Sequence, residues 1–170
     1  MLVAVIVATV LVYNCCGFVN GTIKTIYSDE NLTGKQIIES DGNFIVVSYD
    51  GAELVSKRGE IISSVENRMS SPRVDKRGDY LLMYDKDGYQ ITLYRNMKRL
   101  YSFESEQPIK SANVNKNGYV IFVSDETGYN ARITVLTPKG KLEYIWKIGD
   151  VFVVDADISP DNQKIAVAAV

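Results

Sequence analysis

The stretch Asp75-Lys76-Arg77-Gly78-Asp79-Tyr80-Leu81-Leu82-Met83 sets a polar tight turn directly before an apolar strand. The same pattern stands at Glu39-Ser40-Asp41-Gly42-Asn43-Phe44-Ile45-Val46-Val47 and at Asn115-Lys116-Asn117-Gly118-Tyr119-Val120-Ile121-Phe122-Val123. A fourth copy, Ser159-Pro160-Asp161-Asn162-Gln163-Lys164-Ile165-Ala166-Val167, has Asn162 in the glycine place. Gly42, Gly78, Gly118 and Asn162 follow one another at intervals of 36, 40 and 44 residues. Asn can replace Gly there because both tolerate the left-handed backbone such turns require. Self-similarity at this period marks a repeat architecture.

Two further turns recur in the same order. One lies at Tyr49-Asp50-Gly51, Asp87-Gly88-Tyr89 and Thr127-Gly128-Tyr129; the other at Lys57-Arg58-Gly59-Glu60, Arg95-Asn96-Met97-Lys98 and Pro138-Lys139-Gly140-Lys141. Each repeat therefore reads as four short antiparallel strands joined by tight turns, about 40 residues long, which is the size of a propeller blade. A β-sandwich also has short strands, but it does not require the same three turns at a fixed interval. Tyr80 to Tyr84 and Tyr119 to Val123 are apolar throughout, as expected of strands covered on both faces. Gln90 to Tyr94 and Arg132 to Leu136 alternate, which predicts positions nearer the solvent rim. The fold class is thus all-β: a partial β-propeller of about three and a half four-stranded antiparallel blades, preceded by one amino-terminal apolar helix. The blades are expected at about 35–66, 70–105, 109–148 and 152–170. Closed propellers have about 4 to 8 blades, so the chain reads as a fragment of a larger ring.

The amino-terminal stretch has a different character. No charged residue occurs from Met1 to Val19, and Met1 to Val12 is apolar except for Thr9. About 19 helical residues at roughly 1.5 Å each approach the thickness of a bilayer core. Residues 1–19 are therefore expected to be a single-pass membrane anchor. Residues 20–34 read as a polar connector with a short outer strand at Ile23 to Tyr27, and 35–170 as the propeller. No basic residue precedes the apolar run and no small-x-small cleavage site follows it, so it is a poor cleavable signal peptide. The alternative is a buried strand pair in a soluble protein, since Val3, Val5, Val7 and Val10 favour strands. Lys24 and Lys35 lie on the carboxyl side, which under the positive-inside rule would hold the domain in the cytoplasm. The expectation is nevertheless an extracytoplasmic propeller, the amino-terminal flank being taken as incomplete. Adjacent Cys15 and Cys16 read as small apolar residues of the anchor, with acylation or an intermolecular disulfide as the alternative.

Composition restricts the chemistry further. The 170 residues contain 19 Lys plus Arg, 21 Asp plus Glu and no histidine, with a formal net charge of -2. No basic block is present, so nucleic acid is not an expected partner. The lack of histidine removes Ser/His/Asp triads, His-bearing zinc sites and imidazole bases. Asp85 to Gly88 and the group Asp155, Asp157 and Asp161 lack EF-hand spacing and read as turn caps. Glu104, Glu106, Asp125 and Glu126 read as solvated loop charges. Trp146 and the series Tyr80, Tyr84, Tyr94, Tyr101, Tyr119 and Tyr144 read as packing between blades. No catalytic, cofactor-binding or metal-binding residue is assigned, and no cofactor is expected.

Ser159-Pro160-Asp161-Asn162-Gln163-Lys164-Ile165-Ala166 resembles the turn of WD40-like and TolB-like propeller repeats, although the Trp-Asp and Gly-His pairs of true WD40 blades are missing. The combination of apolar anchor, polar connector and such blades resembles an uncharacterised family of membrane-anchored propeller proteins of Gram-positive bacteria, domain of unknown function 5711. The resemblance implies the propeller fold and supplies no activity. The functional expectation is a non-enzymatic binding or scaffold module, with a protein, peptide or cell-envelope ligand on its loop face. The alternative is a propeller enzyme, a glycan hydrolase or lyase, whose catalytic residues lie largely in blades outside this sequence.

Overall fold

The computed structural model describes residues 35–170, which form 14 β-strands in four antiparallel sheets. Sheet 1 holds β1 (Gln36–Ser40), β2 (Asn43–Ser48), β3 (Gly51–Val55) and β4 (Ile61–Glu66). Sheet 2 holds β5 (Pro72–Arg77), β6 (Tyr80–Asp85), β7 (Gln90–Arg95) and β8 (Lys98–Glu104). Sheet 3 holds β9 (Ile109–Val114), β10 (Val120–Glu126), β11 (Tyr129–Leu136) and β12 (Leu142–Ile148), and sheet 4 pairs β13 (Val153–Ile158) with β14 (Ile165–Ala169). Strands neighbour one another in chain order within every sheet. The expected anchor helix, the connector with its strand at Ile23 to Tyr27, and Cys15 and Cys16 lie outside the described residues.

Face-to-face packing turns these sheets into part of a propeller. Alternate side chains of a strand point to opposite faces, so each central strand serves two neighbours. Leu81 and Met83 of β6 join Ile45, Val47 and Ala52 of sheet 1, while Leu82 of the same strand joins Val120, Phe122 and Leu136 of sheet 3. Ile121 and Val123 of β10 then join Ala156 and Ile158 of sheet 4. Fully burying a Leu, Ile or Phe contributes about 1.5–3 kcal/mol, so these interfaces hold the array together. The first strand of each sheet is innermost: β5 meets β9 and β9 meets β13, whereas β4, β8 and β12 alternate exposed and half-buried residues at the rim.

Polar side chains tie the inner strands together. Gln36 donates through Nε2 to the carbonyl of Pro72, 3.1 Å, and the amide of Val114 donates to Asp75 Oδ2, 3.0 Å. Asn113 donates through Nδ2 to Asp155 Oδ1 and to the carbonyl of Ala156, 2.8 and 2.9 Å. Each bond crosses from one sheet to the next.

Two expectations about the strands need correction. The alternating third strands lie one place nearer the rim than β6 and β10, but they do not face solvent: β7 and β11 are largely buried, and Thr92 and Thr134 have no exposed surface. Their alternation is between apolar and hydroxyl side chains, and Thr92 Oγ1 is satisfied by Ser102 Oγ at 3.1 Å. The register taken from the glycines is also one residue out in the second repeat. Asp41 and Gly42 both have positive φ, as in a type I′ hairpin, whereas Gly78 takes the first central place of the loop closed by Arg77 and Tyr80, as in type II′. The third loop, Asn115 to Tyr119, is longer, with Gly118 at φ 83. A one-residue slip exchanges the faces of a strand, so the equivalent residues are Ile45, Leu82 and Ile121, each directed at the following sheet. Bulges confirm this alignment, since they fall after Leu54, Leu93 and Val135, the respective cross-strand partners of those three residues.

Candidate functional site: a tyrosine-bearing loop face

Because neighbouring strands run antiparallel, the turns between second and third strands share one end of the array with the crossovers between sheets. That end presents Tyr49, Tyr89 and Tyr129, one from each complete sheet, at 45%, 48% and 48% exposure. Their backbones are fixed. The Tyr49 carbonyl accepts from the Met69 amide at 2.9 Å, the Tyr89 carbonyl accepts from the Ser105 amide at 2.7 Å, and Tyr129 pairs with Glu126 across the β10–β11 hairpin. Lys147 Nζ lies 5.5 Å from the centroid of the Tyr129 ring, within cation–π range. Phe152, in the crossover to sheet 4, adds an apolar ring that is 63% exposed.

Ion pairs frame these rings. Lys110 reaches Asp87 at 3.0 Å and Asp125 at 3.2 Å, joining sheet 3 to sheet 2. Arg132 meets Glu106 at 2.9 Å and Glu126 at 3.5 Å, and Lys147 meets Glu126 at 2.9 Å. The hydrogen bond from Lys110 holds the Asp87 carboxyl below its ordinary range, and the hydrogen bond from Lys147 does the same for Glu126. Hydrogen bonds to Asp87 and Asp125 raise Lys110 in turn. These carboxylates are held ionised, which suits them to anchoring cations and not to donating protons at neutral pH. A shallow depression of about 660 Å³ opens beside Tyr89, lined by Ser70, Asp85, Lys86, Ser102 and Glu104. Asp85 accepts from the amides of both Ser70 and Ser71, so it caps the crossover at the floor of that depression.

The remaining acidic residues are dispersed. Asp155 receives Asn113 on the inner strands, and Asp157 receives the amide of Ile158 at 2.7 Å. Asp161 sits at the opposite end, where the Ser159 hydroxyl and the Gln163 amide lower its pKa. Among the described residues, no group of three or more His, Cys, Asp or Glu is placed to hold a metal ion. The aromatic series divides. Tyr80, Tyr84, Tyr101 and Phe103 pack between sheets 2 and 3 and Tyr94 is buried, but Tyr144 and Trp146 stay half exposed. Burial raises the pKa of Tyr84, Tyr94 and Tyr101. The three loop tyrosines were missed by the sequence reading, which used their turns only as punctuation. Their signal was a tyrosine recurring at the same turn in three repeats.

Residues 18–170 match a family described as a family of unknown function (DUF5711). The chain belongs to that family. No curated protein matches it in sequence. Solved structures share its fold: Hsv2 of Kluyveromyces lactis, with a TM-score of 0.60 at 17% identity over 79% of this chain and 44% of that one; BamB from Moraxella catarrhalis, 0.54 at 12% over 78% and 41%; and the WD40 domain of Neurospora crassa Pan2, 0.50 at 13% over 74% and 39%. The chain therefore spans less than half the length of these propeller structures. At such identities the likeness is one of fold, and the fold it shows is that of a β-propeller.

Proposed function

We propose that this chain is the propeller part of a membrane-tethered binding module. Residues 1–19 anchor it, the propeller lies on the extracytoplasmic side, and the loop face bearing Tyr49, Tyr89 and Tyr129 engages a protein or peptide ligand. The observation that carries the reading is the threefold recurrence of a half-exposed tyrosine at the same turn of successive rigid sheets. Tyrosine offers large contact area with little rotamer entropy to lose and is enriched among binding hot spots. Ion pairs around the rings hold the loops in place, and preorganisation of this kind lowers the cost of association.

Panning a random peptide display library on the immobilised chain tests the binding face. Peptides enriched on the native chain should lose about tenfold affinity per Tyr→Ala substitution at positions 49, 89 and 129. Equal binding to a triple Tyr→Ala variant that melts at the native temperature would overturn the assignment of the face. Carbonate extraction tests the anchor separately: the protein should stay with the membrane pellet, and deletion of residues 1–19 should release it.

A further inference from the structure

The turns between third and fourth strands lie at the opposite end of the array from the tyrosines and share a pattern of their own. Lys57-Arg58-Gly59-Glu60-Ile61-Ile62, Arg95-Asn96-Met97-Lys98-Arg99-Leu100 and Pro138-Lys139-Gly140-Lys141-Leu142-Glu143 each set basic residues just before an aliphatic one at the start of the outermost strand. Together they hold seven basic residues against two acidic. Arg95 is taken by Asp79 at 3.5 Å. Lys57, Arg58, Lys98, Arg99, Lys139 and Lys141 are exposed and, among the described residues, enter no ion pair. The tyrosine end is the reverse: Arg68, Lys110, Arg132 and Lys147 are each held by carboxylates. A chain with a formal net charge of -2 thus gathers uncompensated positive charge at one end of its strands.

Apolar side chains stand among these cations. Ile62, Leu100 and Leu142 are 55%, 46% and 54% exposed, although each has a neighbouring sheet beside it. Ile62 lines a groove with Leu81 and Met97 of sheet 2, Leu100 belongs to the sheet that lies between two others, and Leu142 pairs with Leu136, which enters the interface with sheet 2. The turn of sheet 3 sits close to sheet 2, since a Cβ on Gly140 would lie 2.7 Å from Cγ of the Tyr101 ring. The three basic segments are therefore neighbours along one end. Lys and Arg lay their stems along apolar surface while their heads stay in water, and cations interleaved with aliphatics suit the boundary between lipid headgroups and acyl chains.

We propose that this end of the array docks on the surface of an anionic lipid bilayer, the basic turns meeting phospholipid headgroups and Ile62, Leu100 and Leu142 entering the layer beneath them. The inference rests on the membrane-tethered reading for bringing the chain to a bilayer, and goes beyond it in assigning which end faces the lipid. A soluble polyanion would satisfy the charges and leave the three aliphatics in water, whereas a bilayer surface takes both. The tether by itself does not orient the chain: β1 begins at the tyrosine end, but residues 20–34 fully extended span about 50 Å, against about 20 Å for a six-residue strand. Charge selects the orientation, because each Lys or Arg near an anionic surface strengthens binding about fivefold. Docked in this way, the chain directs Tyr49, Tyr89 and Tyr129 away from the bilayer.

A lysine footprint tests the orientation. The full chain is added to vesicles of phosphatidylcholine alone, or of equal parts phosphatidylcholine and phosphatidylglycerol, and its lysines are acetylated and read by mass spectrometry. On the anionic vesicles Lys57, Lys98, Lys139 and Lys141 should be labelled at least about fivefold more slowly than on the neutral ones, with Lys86 and Lys147 at the tyrosine end unchanged. Raising the ionic strength should weaken the protection. A triple variant, Ile62→Ser, Leu100→Ser and Leu142→Ser, that melts at the native temperature should lose most of it. Equal labelling of the four lysines on both kinds of vesicle, protection of Lys86 and Lys147 instead, or full protection of the triple variant would overturn the proposal. So would equal protection by soluble polyphosphate at the same phosphate concentration, which would assign the patch to a polyanion in solution. Carbonate extraction reports on residues 1–19 alone, so failure of the anchor and failure of the docking end are told apart.

Discussion

Glycines in this chain differ in how much depends on them. Gly51 has φ 151, and a Cβ there would sit 2.0 Å from the carbonyl oxygen of Val65 and 3.1 Å from the amide of Asn67. Backbone cannot yield as a flexible side chain can. Gly51→Ala should therefore destabilise the chain by at least about 2 kcal/mol, measured as a lower urea midpoint at unchanged slope. Gly78 has φ 56 with nothing within 4 Å of an added Cβ, so only the left-handed backbone constrains it. Gly78→Asn should cost under about 1 kcal/mol, because Asn tolerates that region. A large loss for Gly78→Asn, or none for Gly51→Ala, would contradict these two environments. Met97 is the reverse case, a bulky residue held at φ 59 where the neighbouring Asn96 would ordinarily be followed by glycine.

At the level of elements, Met97 is explained by what faces it. It packs against the core between sheets 1 and 2 and lines the same groove as Ser63, the sheet 1 equivalent of Tyr101. One interface thus combines a small rim residue with a large turn residue, and the next combines Tyr101 with Gly140. Gly140→Met alone should clash with the Tyr101 ring, and Tyr101→Ser alone should leave a void. The double variant should recover part of both losses, with a coupling of about 1–3 kcal/mol in a double-mutant cycle. Simple additivity of the two denaturation free energies would refute the complementarity. The same comparison shows what was legible in the sequence. Turn residues carry their own conformational signal, so Asp41-Gly42, Gly118 and Asn162 announced the sheets and their order. The register within a turn was not legible, because Gly serves either central position of a two-residue loop and only the packed faces of Leu81 and Leu82 distinguish them. Nor was the place of β7 and β11, since a threonine that alternates with leucine looks solvent-facing until Ser102 supplies its hydrogen bond.

Among the described residues, each sheet packs chiefly against its neighbours in the chain, as in other repeat architectures. The inner strands are bridged by Asn113 and Asp75, the middle by apolar clusters, and the loop face by charged pairs. Those charged pairs make the loop face the part of the interface that responds to pH. Asp87 and Glu126 have folded pKa values below the ordinary 3.8 and 4.5, so their contribution to stability is present above the unfolded values and is lost as pH falls through the depressed folded ones. Lys110 is raised above its ordinary 10.5, so its contribution is complete below that value and is lost only as pH rises through the higher folded one. Between neutral pH and strongly acidic solution the carboxylate side therefore governs. The thermal midpoint should fall as pH is lowered below the ordinary carboxylate range. Lys110→Met removes the partner that depresses Asp87 and spares the apolar interface, so its midpoint should be lower at neutral pH and should fall less steeply toward acid. If the variant and the native chain keep a constant difference in midpoint at every acidic pH, the Lys110 bridge between sheets 2 and 3 does not contribute to holding the loop face together. A converging pair of curves would show that the tyrosine-bearing turns are positioned by charge as well as by the packing beneath them.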